Sequence, residues 1–316
     1  MKVSIKERIE QILSTKLSRI ISIGGGSINE TFCIESAEKY FFCKINSATK
    51  FPGLFEKEKS GLLFLQSCNV IRVPQVIWCG EHEGIQILVL EWMEQGLRTE
   101  SFWKKFGQQL AALHSAQRGH QLGSSDRDGQ TSQRSDRGGQ TGIRLAVPTA
   151  FGFHEDNYMG ALQQVNTWTA TWIEFFIHCR LQPQLDLAEK SGLVKKNDID
   201  QFHRLYQKLE EIFPTEPPCA LHGDLWSGNF LCSDSSEPVL IDPAVYYGHR
   251  CMDLGMTKLF GGFDKQFYDA YDHHFPLPKN FEEQAGVCNL YPLLIHLNLF
   301  GSGYLNSIRT ILKAYC

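Results

Sequence analysis

Residues 219–230 read CALHGDLWSGNF, a short run in which His222, Asp224 and Asn229 lie between two apolar flanks. Polar residues between apolar runs are typical of a turn that joins two strands. They are equally typical of a loop that carries catalytic side chains. The rest of the chain is needed to distinguish the two interpretations.

The spacing of this run matches the catalytic loop of protein kinases, in which an aspartate follows a histidine by two positions and precedes an asparagine by five. In phosphoryl transfer a carboxylate accepts the proton of the attacking hydroxyl. An amide oxygen nearby can ligate a hard cation without adding charge. Asp224 is therefore a candidate general base and Asn229 a candidate Mg²⁺ ligand.

A second carboxylate follows in residues 238–243, which read PVLIDP. Here an apolar strand delivers Asp242 at its end, where a kinase places the aspartate that holds Mg²⁺ against the ATP phosphates. An aspartate that begins an ordinary turn before proline is the alternative. Together with the preceding loop, the pattern favours Asp242 as a second Mg²⁺ ligand.

A lysine lies in the apolar run FFCKIN, residues 41–46. Lys44 must either reach solvent or find an anionic partner, and kinases place such a lysine on the third strand of a small sheet, against the ATP phosphates. The helix that follows offers Glu56 and Glu58 as partners. We prefer Glu58 because of its register with Gly61 and Leu62 in the predicted helix, although a solvated helix face would also carry these glutamates.

Glycines 24–26 open the run GGGSIN, which matches neither G-x-G-x-x-G nor a Walker A loop. The run falls between the first two predicted strands, where free N–H groups could cover phosphates. A plain hairpin turn is the alternative. The candidate nucleotide-binding residues in it are Gly25, Gly26, Ser27, Ile28 and Asn29.

Hydrophobic periodicity divides the chain into two lobes. Strand patterns at 19–23, 31–34, 40–45, 76–78 and 85–90, with helical spacing at 2–14 and 55–65, predict an antiparallel-sheet lobe over residues 1–90. Residues 91–96 form a polar link. Residues 97–316 are mainly helical, with helices predicted at 101–115, 165–181, 199–212, 265–274 and over much of 281–315. The fold class is α+β.

Residues 125–134 and 135–144 are near copies of each other, inside a stretch from 117 to 142 whose one large apolar residue is Leu122. Such a stretch cannot offset the entropy of ordering itself. We expect residues 117–147 to be a disordered surface insertion.

Composition excludes several classes of protein. The 316 residues are 42% hydrophobic and carry a net charge of −4, so there is no basic field for nucleic acid. The N-terminus lacks the apolar core of a signal peptide, and the most apolar late stretch is too short for a membrane span. The ten cysteines include no C-x-x-C, which disfavours a zinc ribbon or a thioredoxin-type motif. Most of them have apolar neighbours, so we expect reduced core cysteines in a cytoplasmic protein.

Longer runs of the chain resemble the fructosamine kinase (ketosamine-3-kinase) family, whose fold is like that of aminoglycoside phosphotransferases and protein kinases. The most specific run is HGDLWSGN at 222–229. The others are GGGSINE at 24–30, FFCKIN at 41–46, FEKEKSGL at 55–62, LVLEWM at 88–93, FGFHEDNYMG at 151–160, IDPAVYYGHR at 241–250 and LYPLLIHLNLFGSGY at 290–304.

The resemblance implies ATP- and Mg²⁺-dependent phosphorylation of the C3 hydroxyl of ketosamines, the sugar adducts of lysine and other amines, as a protein-deglycating repair. Asp224 is then the base, Lys44 the phosphate anchor with Glu58 as its partner, and Asn229 and Asp242 the metal ligands. Leu90, Glu91, Trp92 and Met93 would bind adenine through their backbone, and Asp253 would support the catalytic loop. By family analogy alone, ribulosamine or erythrulosamine is preferred over fructosamine.

Trp226, Tyr247, His249 and Arg250 are the candidate substrate residues. One departure concerns them: members usually have glutamate after the arginine, whereas this chain has Cys251, which leaves a salt bridge or substrate contact near Arg250 in doubt. A kinase for another small hydroxylated amine, such as choline or an aminoglycoside, is the alternative. A catalytically inactive binding protein is a third hypothesis, which the intact Lys44 and Asp224 disfavour.

Overall fold

The computed structural model describes residues 1–24, 28–37, 39–115 and 149–315. The predicted insertion at 117–147 and residues 25–27 of the glycine run lie outside these ranges. The nine cysteines inside them are all unbridged. Among the helices of the described ranges, none combines the length and the apolarity that a bilayer span requires.

The first lobe is a five-stranded antiparallel sheet of order β1-β2-β3-β5-β4. Its strands are β1 (Leu17–Ile23), β2 (Glu30–Ser36), β3 (Tyr40–Ser47), β4 (Val76–His82) and β5 (Ile85–Glu91). Helix α1 (Val3–Leu13) precedes the sheet, and α2 (Leu54–Cys68) connects β3 to β4. This confirms the predicted antiparallel sheet with one inserted helix.

Side chains of β3 alternate between the two faces of this sheet. Cys43 and Ile45 join Ile5 and Ile9 of α1 in a small core on one face. Lys44 lies between them in sequence and therefore projects from the opposite face, the side on which α2 packs. The alternation thus delivers one cation to an otherwise apolar interior.

The second lobe is mainly helical. Its helices are α3 (Glu100–Ser115), α4 (Trp172–Phe175), α5 (Gln182–Lys190), α6 (Lys196–Tyr206), α7 (Leu209–Ile212), α8 (Cys251–Leu259), α9 (Lys265–His274), α10 (Phe281–Cys288), α11 (Leu290–Phe300) and α12 (Leu305–Leu312). A π-helical turn, Phe176–Leu181, joins α4 to α5, and single 3₁₀ turns, Ser302–Tyr304 and Lys313–Tyr315, flank α12.

Three short antiparallel strand pairs carry the loops of the site. They are β6 (Asn157–Met159) with β7 (Leu162–Gln164), β8 (Cys219–Leu221) with β11 (Tyr246–Gly248), and β9 (Phe230–Cys232) with β10 (Pro238–Leu240). The HGDLWSGN run occupies the β8–β9 connection, and Asp242 is the second residue after β10. The structure therefore brings the two sequence motifs to adjacent strand ends.

The predicted helix at 165–181 is wrong in its first half, because the helix begins only at Trp172. The preceding backbone pairs with a neighbouring loop instead, as in the bridge between Phe151 and Thr169. Trp168, in this first half, is 44% exposed. The buried Arg180 holds this segment down by donating from Nη1 to the Val165 carbonyl (2.5 Å) and from Nη2 to Asn166 Oδ1 (2.8 Å).

The β6–β7 hairpin and the loop before it contact both lobes. Lys57 Nζ on α2 lies 2.6 Å from Glu155 Oε2, and the Tyr158 hydroxyl donates to the Pro52 carbonyl at 3.0 Å. On its other side, Asn157 Nδ2 donates to the Val245 carbonyl at 2.9 Å. This hairpin is therefore a direct link between α2 and the segment that follows Asp242.

Candidate active site

The β8–β9 loop begins with a turn that only glycine can make. Gly223 has φ +84°, and a Cβ at this position would lie 2.0 Å from the Ala244 carbonyl oxygen. The carboxylate of Asp253 accepts the backbone N–H groups of His222 and Gly223, each at 2.8 Å. The start of the loop is thus fixed by a buried carboxylate on α8, in agreement with the predicted supporting role of Asp253.

His222 holds the turn through its ring. Its Nε2 lies 2.9 Å from the Ile241 carbonyl oxygen and must carry the proton there, and Nδ1 accepts the Asp224 N–H at 3.2 Å. Burial lowers the pKa of His222 and favours the neutral ring. The Ile241 carbonyl and the Asp224 N–H select this tautomer. His222 therefore has a positioning role, between the loop and the strand that leads to Asp242.

Asp253 is itself held by a second histidine. His114 on α3 contributes Nε2, 3.2 Å from Asp253 Oδ2, and its Nδ1 lies 2.9 Å from the Tyr271 hydroxyl oxygen. Burial opposes the charged form of Asp253, but the bond from His114, with the backbone N–H groups, outweighs it and lowers the pKa. The sequence analysis missed His114 and Tyr271, because nothing near them in the chain marks a partner.

Asp224 and Asn229 are joined directly. Asn229 Nδ2 donates to the backbone carbonyl and to Oδ2 of Asp224, both at 2.9 Å. Burial and the nearby Asp242 carboxylate raise the pKa of Asp224 to about 7. A carboxylate with a pKa in that range is suited to accept a proton near neutral pH.

Lys44 lies between two carboxylates. Its Nζ is 2.8 Å from Glu58 Oε1 and 2.5 Å from Asp242 Oδ1, while the side chain is 2% exposed. Glu56 instead pairs with Lys59 at 3.1 Å, so the structure selects Glu58, the partner we preferred. Burial opposes the charge of Lys44, but the two carboxylates outweigh it and raise the pKa; the lysine is a cation.

Asp242 has an unusual backbone, with φ +55° at a residue other than glycine. Such conformations cost free energy and concentrate at functional sites. Asn229 donates from its nitrogen to Asp224, which leaves its amide oxygen for another partner. One carboxylate and one amide oxygen are hard donors that fit Mg²⁺, whose remaining ligands are usually water and phosphate oxygens.

The site is a cleft with two connected sections. One section, named the nucleotide section after the adenine contacts expected of Leu90, Glu91, Trp92 and Met93, has a volume of about 290 Å³ and is lined by these four residues together with Phe42 and Ile241. The acceptor section, about 190 Å³, is lined by Asp224, Trp226, Lys57, Asn157 and Tyr158. Asn29, Lys44 and Asp242 line both sections. Of the predicted glycine-run residues, Ile28 and Asn29 reach the cleft, whereas Gly25, Gly26 and Ser27 lie outside the described residues.

The comparisons with known proteins agree with this geometry. The family model for fructosamine kinase matches residues 1–136 and 144–316. The chain belongs to the fructosamine kinase family. It is 35% identical over 306 residues to the chloroplastic protein-ribulosamine 3-kinase of Oryza sativa subsp. japonica. This alignment covers 96% of this chain and 80% of the relative.

Solved structures show the same fold. A crystal structure assigned as a fructosamine-3-kinase of Thermobifida fusca superposes with a TM-score of 0.81 at 29% identity, over 99% of this chain and 98% of that chain. A thermostable aminoglycoside phosphotransferase in ternary complex with AMP-PNP and hygromycin B superposes at 0.59 with 11% identity, over 99% of each chain. The predicted two-lobed, protein-kinase-like fold is confirmed.

Trp226 is the candidate substrate residue that reaches the cleft. It lines the acceptor section, is 38% exposed and packs edge-on against Phe260, with ring centroids 6.3 Å apart. A Cβ at position 228 would lie 2.3 Å from its indole ring, so Gly228 makes room for this ring. One face of the loop is therefore aromatic and accessible.

The other three predicted substrate residues do not line the cleft, and their predicted contact with substrate is corrected. Tyr247 stacks on Trp168 at 6.2 Å. His249 is 1% exposed and packs against Trp172. Arg250 is 3% exposed and donates to the carbonyls of Phe275 and Pro276. These side chains are polar and lie next to a catalytic motif, so the sequence did not indicate that they are buried.

Cys251 stands where family members usually have a glutamate, and a different residue pairs with Arg250. Arg250 Nε lies 3.2 Å from Glu216 Oε2, so a carboxylate from the loop before β8 pairs with the arginine. Cys251 is buried and its thiol donates to Gln284 Oε1 at 3.1 Å. The salt bridge left in doubt by the sequence is present, with a partner outside the motif.

Proposed function

We propose that this member of the fructosamine kinase family transfers the γ-phosphoryl group of ATP to the C3 hydroxyl of ketosamines. One observation carries the proposal: the Lys44–Asp242 ion pair lines both sections of the cleft, so a phosphoryl group that passes from one section to the other passes beside this pair. Asp224 lies on the acceptor side of that junction. The name of the rice relative supports a ribulosamine acceptor phosphorylated at C3.

The nucleotide would bind along Leu90–Met93, with its phosphates directed toward Lys44. Asn229 and Asp242 would hold Mg²⁺, which when bound neutralises phosphate charge and orients the γ-phosphoryl group. Lys44 is already a cation held by Glu58 and Asp242, so its charge is in place before the phosphates bind. These residues supply positioning and electrostatics, which dominate catalysis of phosphoryl transfer.

Asp224 would accept the proton of the acceptor hydroxyl as its oxygen bonds to the γ-phosphorus and ADP leaves with the electrons of the broken P–O bond. The Asn229 amide holds the carboxylate in place during this transfer. Trp226 would cover the apolar face of the sugar. The 3-phosphorylated adduct is unstable and decomposes, which releases the amine; the activity is therefore a deglycating repair.

The unbridged cysteines of the described ranges are consistent with a reducing compartment, and we place this repair in the cytoplasm. Expression of a tagged full-length chain followed by fractionation tests that location. Recovery with an oxidising or membrane compartment would contradict it.

Mass spectrometry of glycated lysine derivatives tests the activity. Ribosylated, erythrosylated and glucosylated lysine are incubated with the protein and Mg-ATP, and we expect a gain of one phosphoryl group, largest for the ribosylated or erythrosylated adduct. Choline and an aminoglycoside serve as comparison acceptors. Phosphorylation of either of these, with none of any ketosamine, would replace the proposal by the alternative small-amine kinase.

A further inference from the structure

Asn157 has no role in the phosphoryl transfer described above, although it lines the acceptor section. It begins β6, within the run FGFHEDNYMG. Its side chain is almost inaccessible, with 6% of the residue exposed. A polar group at such a position is expected to have every hydrogen bond satisfied.

The orientation of this amide is determined by backbone carbonyls. Asn157 Nδ2 donates to the Val245 carbonyl at 2.9 Å, and the neighbouring Gln164 Nε2 donates to the Ala244 carbonyl at 3.0 Å. A carbonyl oxygen can only accept, so in each amide the nitrogen must face it. Neither amide can be flipped without placing two oxygens against each other.

Gln164 then has every hydrogen-bonding group in use. Its second Nε2 hydrogen is donated to Asn157 Oδ1 at 2.8 Å, and its Oε1 accepts from the Tyr291 hydroxyl at 2.9 Å. Asn157 Oδ1 is therefore an acceptor for Gln164. An amide nitrogen has two hydrogens, and the second one on Asn157 Nδ2 has no acceptor within the described ranges.

Two other neutral donors of the acceptor section are already engaged. Asn229 donates its amide hydrogens to Asp224, and the Tyr158 hydroxyl donates to the Pro52 carbonyl. The hydroxyl oxygens of a polyhydroxylated acceptor are groups that a neutral amide N–H can meet by a hydrogen bond. A pocket built to hydrogen-bond a hydroxyl discriminates strongly against analogues that lack it.

We propose that Asn157 is a substrate-binding, specificity-determining residue whose second Nδ2 hydrogen is donated to a hydroxyl oxygen of the ketosamine other than the reacting C3 hydroxyl. Gln164, held by Tyr291 and Ala244, is the positioning residue that orients the amide. This inference rests on the proposed ketosamine kinase activity. Loss of such a donor lowers kcat/KM for the acceptor about 10- to 100-fold.

The test compares wild type and Asn157→Ala on ribulosamine and on analogues that lack the C4 or the C5 hydroxyl. We expect Asn157→Ala to lower kcat/KM for ribulosamine by about 10- to 100-fold, with KM for ATP unchanged. For the analogue that lacks the contacted hydroxyl, wild type and variant should differ by less than about threefold. Gln164→Met should give a smaller loss of kcat/KM for ribulosamine. In the double variant this loss should not add to that of Asn157→Ala.

Asn289→Ala is the matched control, since Asn289 is also buried (8% exposed) and donates to a backbone carbonyl, that of Gly255 at 3.0 Å, but does not line the cleft. It should affect every acceptor equally. An equal loss on all acceptors for Asn157→Ala, or no loss, overturns the inference. If that variant does not fold, wild type alone decides: equal kcat/KM for ribulosamine and both analogues overturns it.

Absence of phosphorylation of any ketosamine by wild type is a different outcome. It would reject the proposed function, and with it the basis of this inference. A wild-type enzyme that phosphorylates ribulosamine but shows no hydroxyl-specific coupling to Asn157 rejects the inference alone.

Discussion

The amide nitrogen of Asn229 donates to both the backbone carbonyl and the carboxylate of Asp224, each at 2.9 Å. The proposed base and one proposed metal ligand are thus a single hydrogen-bonded unit. The arrangement fixes the amide orientation, because its nitrogen is committed to Asp224 and its oxygen remains for a cation. Substitutions at Asp224 and Asp242 can therefore separate proton transfer from metal binding.

Asp224→Asn should preserve Mg-ATP affinity and lower kcat by roughly 10²–10⁴-fold, since it removes the proton acceptor on the acceptor side of the cleft. Isothermal titration with a non-hydrolysable ATP analogue measures the affinity, and steady-state kinetics measures kcat. Near-wild-type turnover in this variant would exclude the mechanism proposed here.

Asp242→Asn should weaken Mg²⁺-dependent nucleotide binding as well as turnover, because it removes a formal charge beside the cation. It also removes one of the two carboxylates that pair with the Lys44 ammonium group. Titration with the same analogue, with and without Mg²⁺, should show that the enhancement by Mg²⁺ falls at least tenfold. Asp234→Asn, an exposed site in the β9–β10 turn, is the control; an unchanged enhancement in Asp242→Asn would contradict the assignment.

Trp226→Ala should raise KM for the ketosamine about tenfold or more and leave KM for ATP within about twofold, because its ring lines only the acceptor section. Trp168→Ala is the matched control: that indole is 44% exposed but stacks on Tyr247 and does not line the cleft. Equal effects of both substitutions on the acceptor KM would show that the Trp226 ring only packs.

Asp198→Asn should lower the free energy of unfolding by about 1–2 kcal/mol at pH 7. Asp198 accepts from Arg309 Nε (2.7 Å) and Nη2 (2.9 Å) and from the Lys195 N–H (2.9 Å). The bond with Arg309 lowers the pKa of Asp198 in the folded state. Its stabilisation is therefore present above the unfolded pKa of about 3.9 and lost as the pH falls through the folded pKa.

Chemical denaturation of wild type and Asp198→Asn over a pH series measures this difference, which should shrink below about pH 4. Asp200→Asn, whose exposed carboxylate pairs with Lys196 at 3.3 Å, should change stability by less than about 0.5 kcal/mol. A difference for Asp198→Asn that persists unchanged at low pH would show that charge is not its cause.

Local sequence patterns predicted the parts of the site in which the functional side chains lie at a characteristic spacing along the chain. The spacing of His222, Asp224 and Asn229 predicted the catalytic loop, and an isolated cation in an apolar strand predicted a buried partner for Lys44. The choice of Glu58 over Glu56 followed from helix register. These features are local, so the sequence contains what is needed to infer them.

The remaining parts depend on contacts between distant segments. Residues 165–171 have apolar spacing typical of a helix, but their backbone groups form hydrogen bonds with residues 151–153 instead. His249 and Arg250 are polar and adjacent to a motif, yet tertiary packing buries them. Asn157 acquires its significance only when Gln164 and residues 244–245 fold against it.

The β6–β7 hairpin and the loop before it contact Lys57 of α2, Pro52 just before α2 and Val245 of the second lobe, and this linkage has a thermodynamic consequence. A rotation of one lobe relative to the other would therefore move two parts of the cleft together. These are Glu58 on α2 and the hairpin residues Asn157 and Tyr158, which line the acceptor section. To the extent that ATP and the acceptor prefer the same lobe orientation, each must raise the affinity of the other by an identical factor. Weakening of the hairpin's contacts with α2 would reduce that factor for both ligands at once.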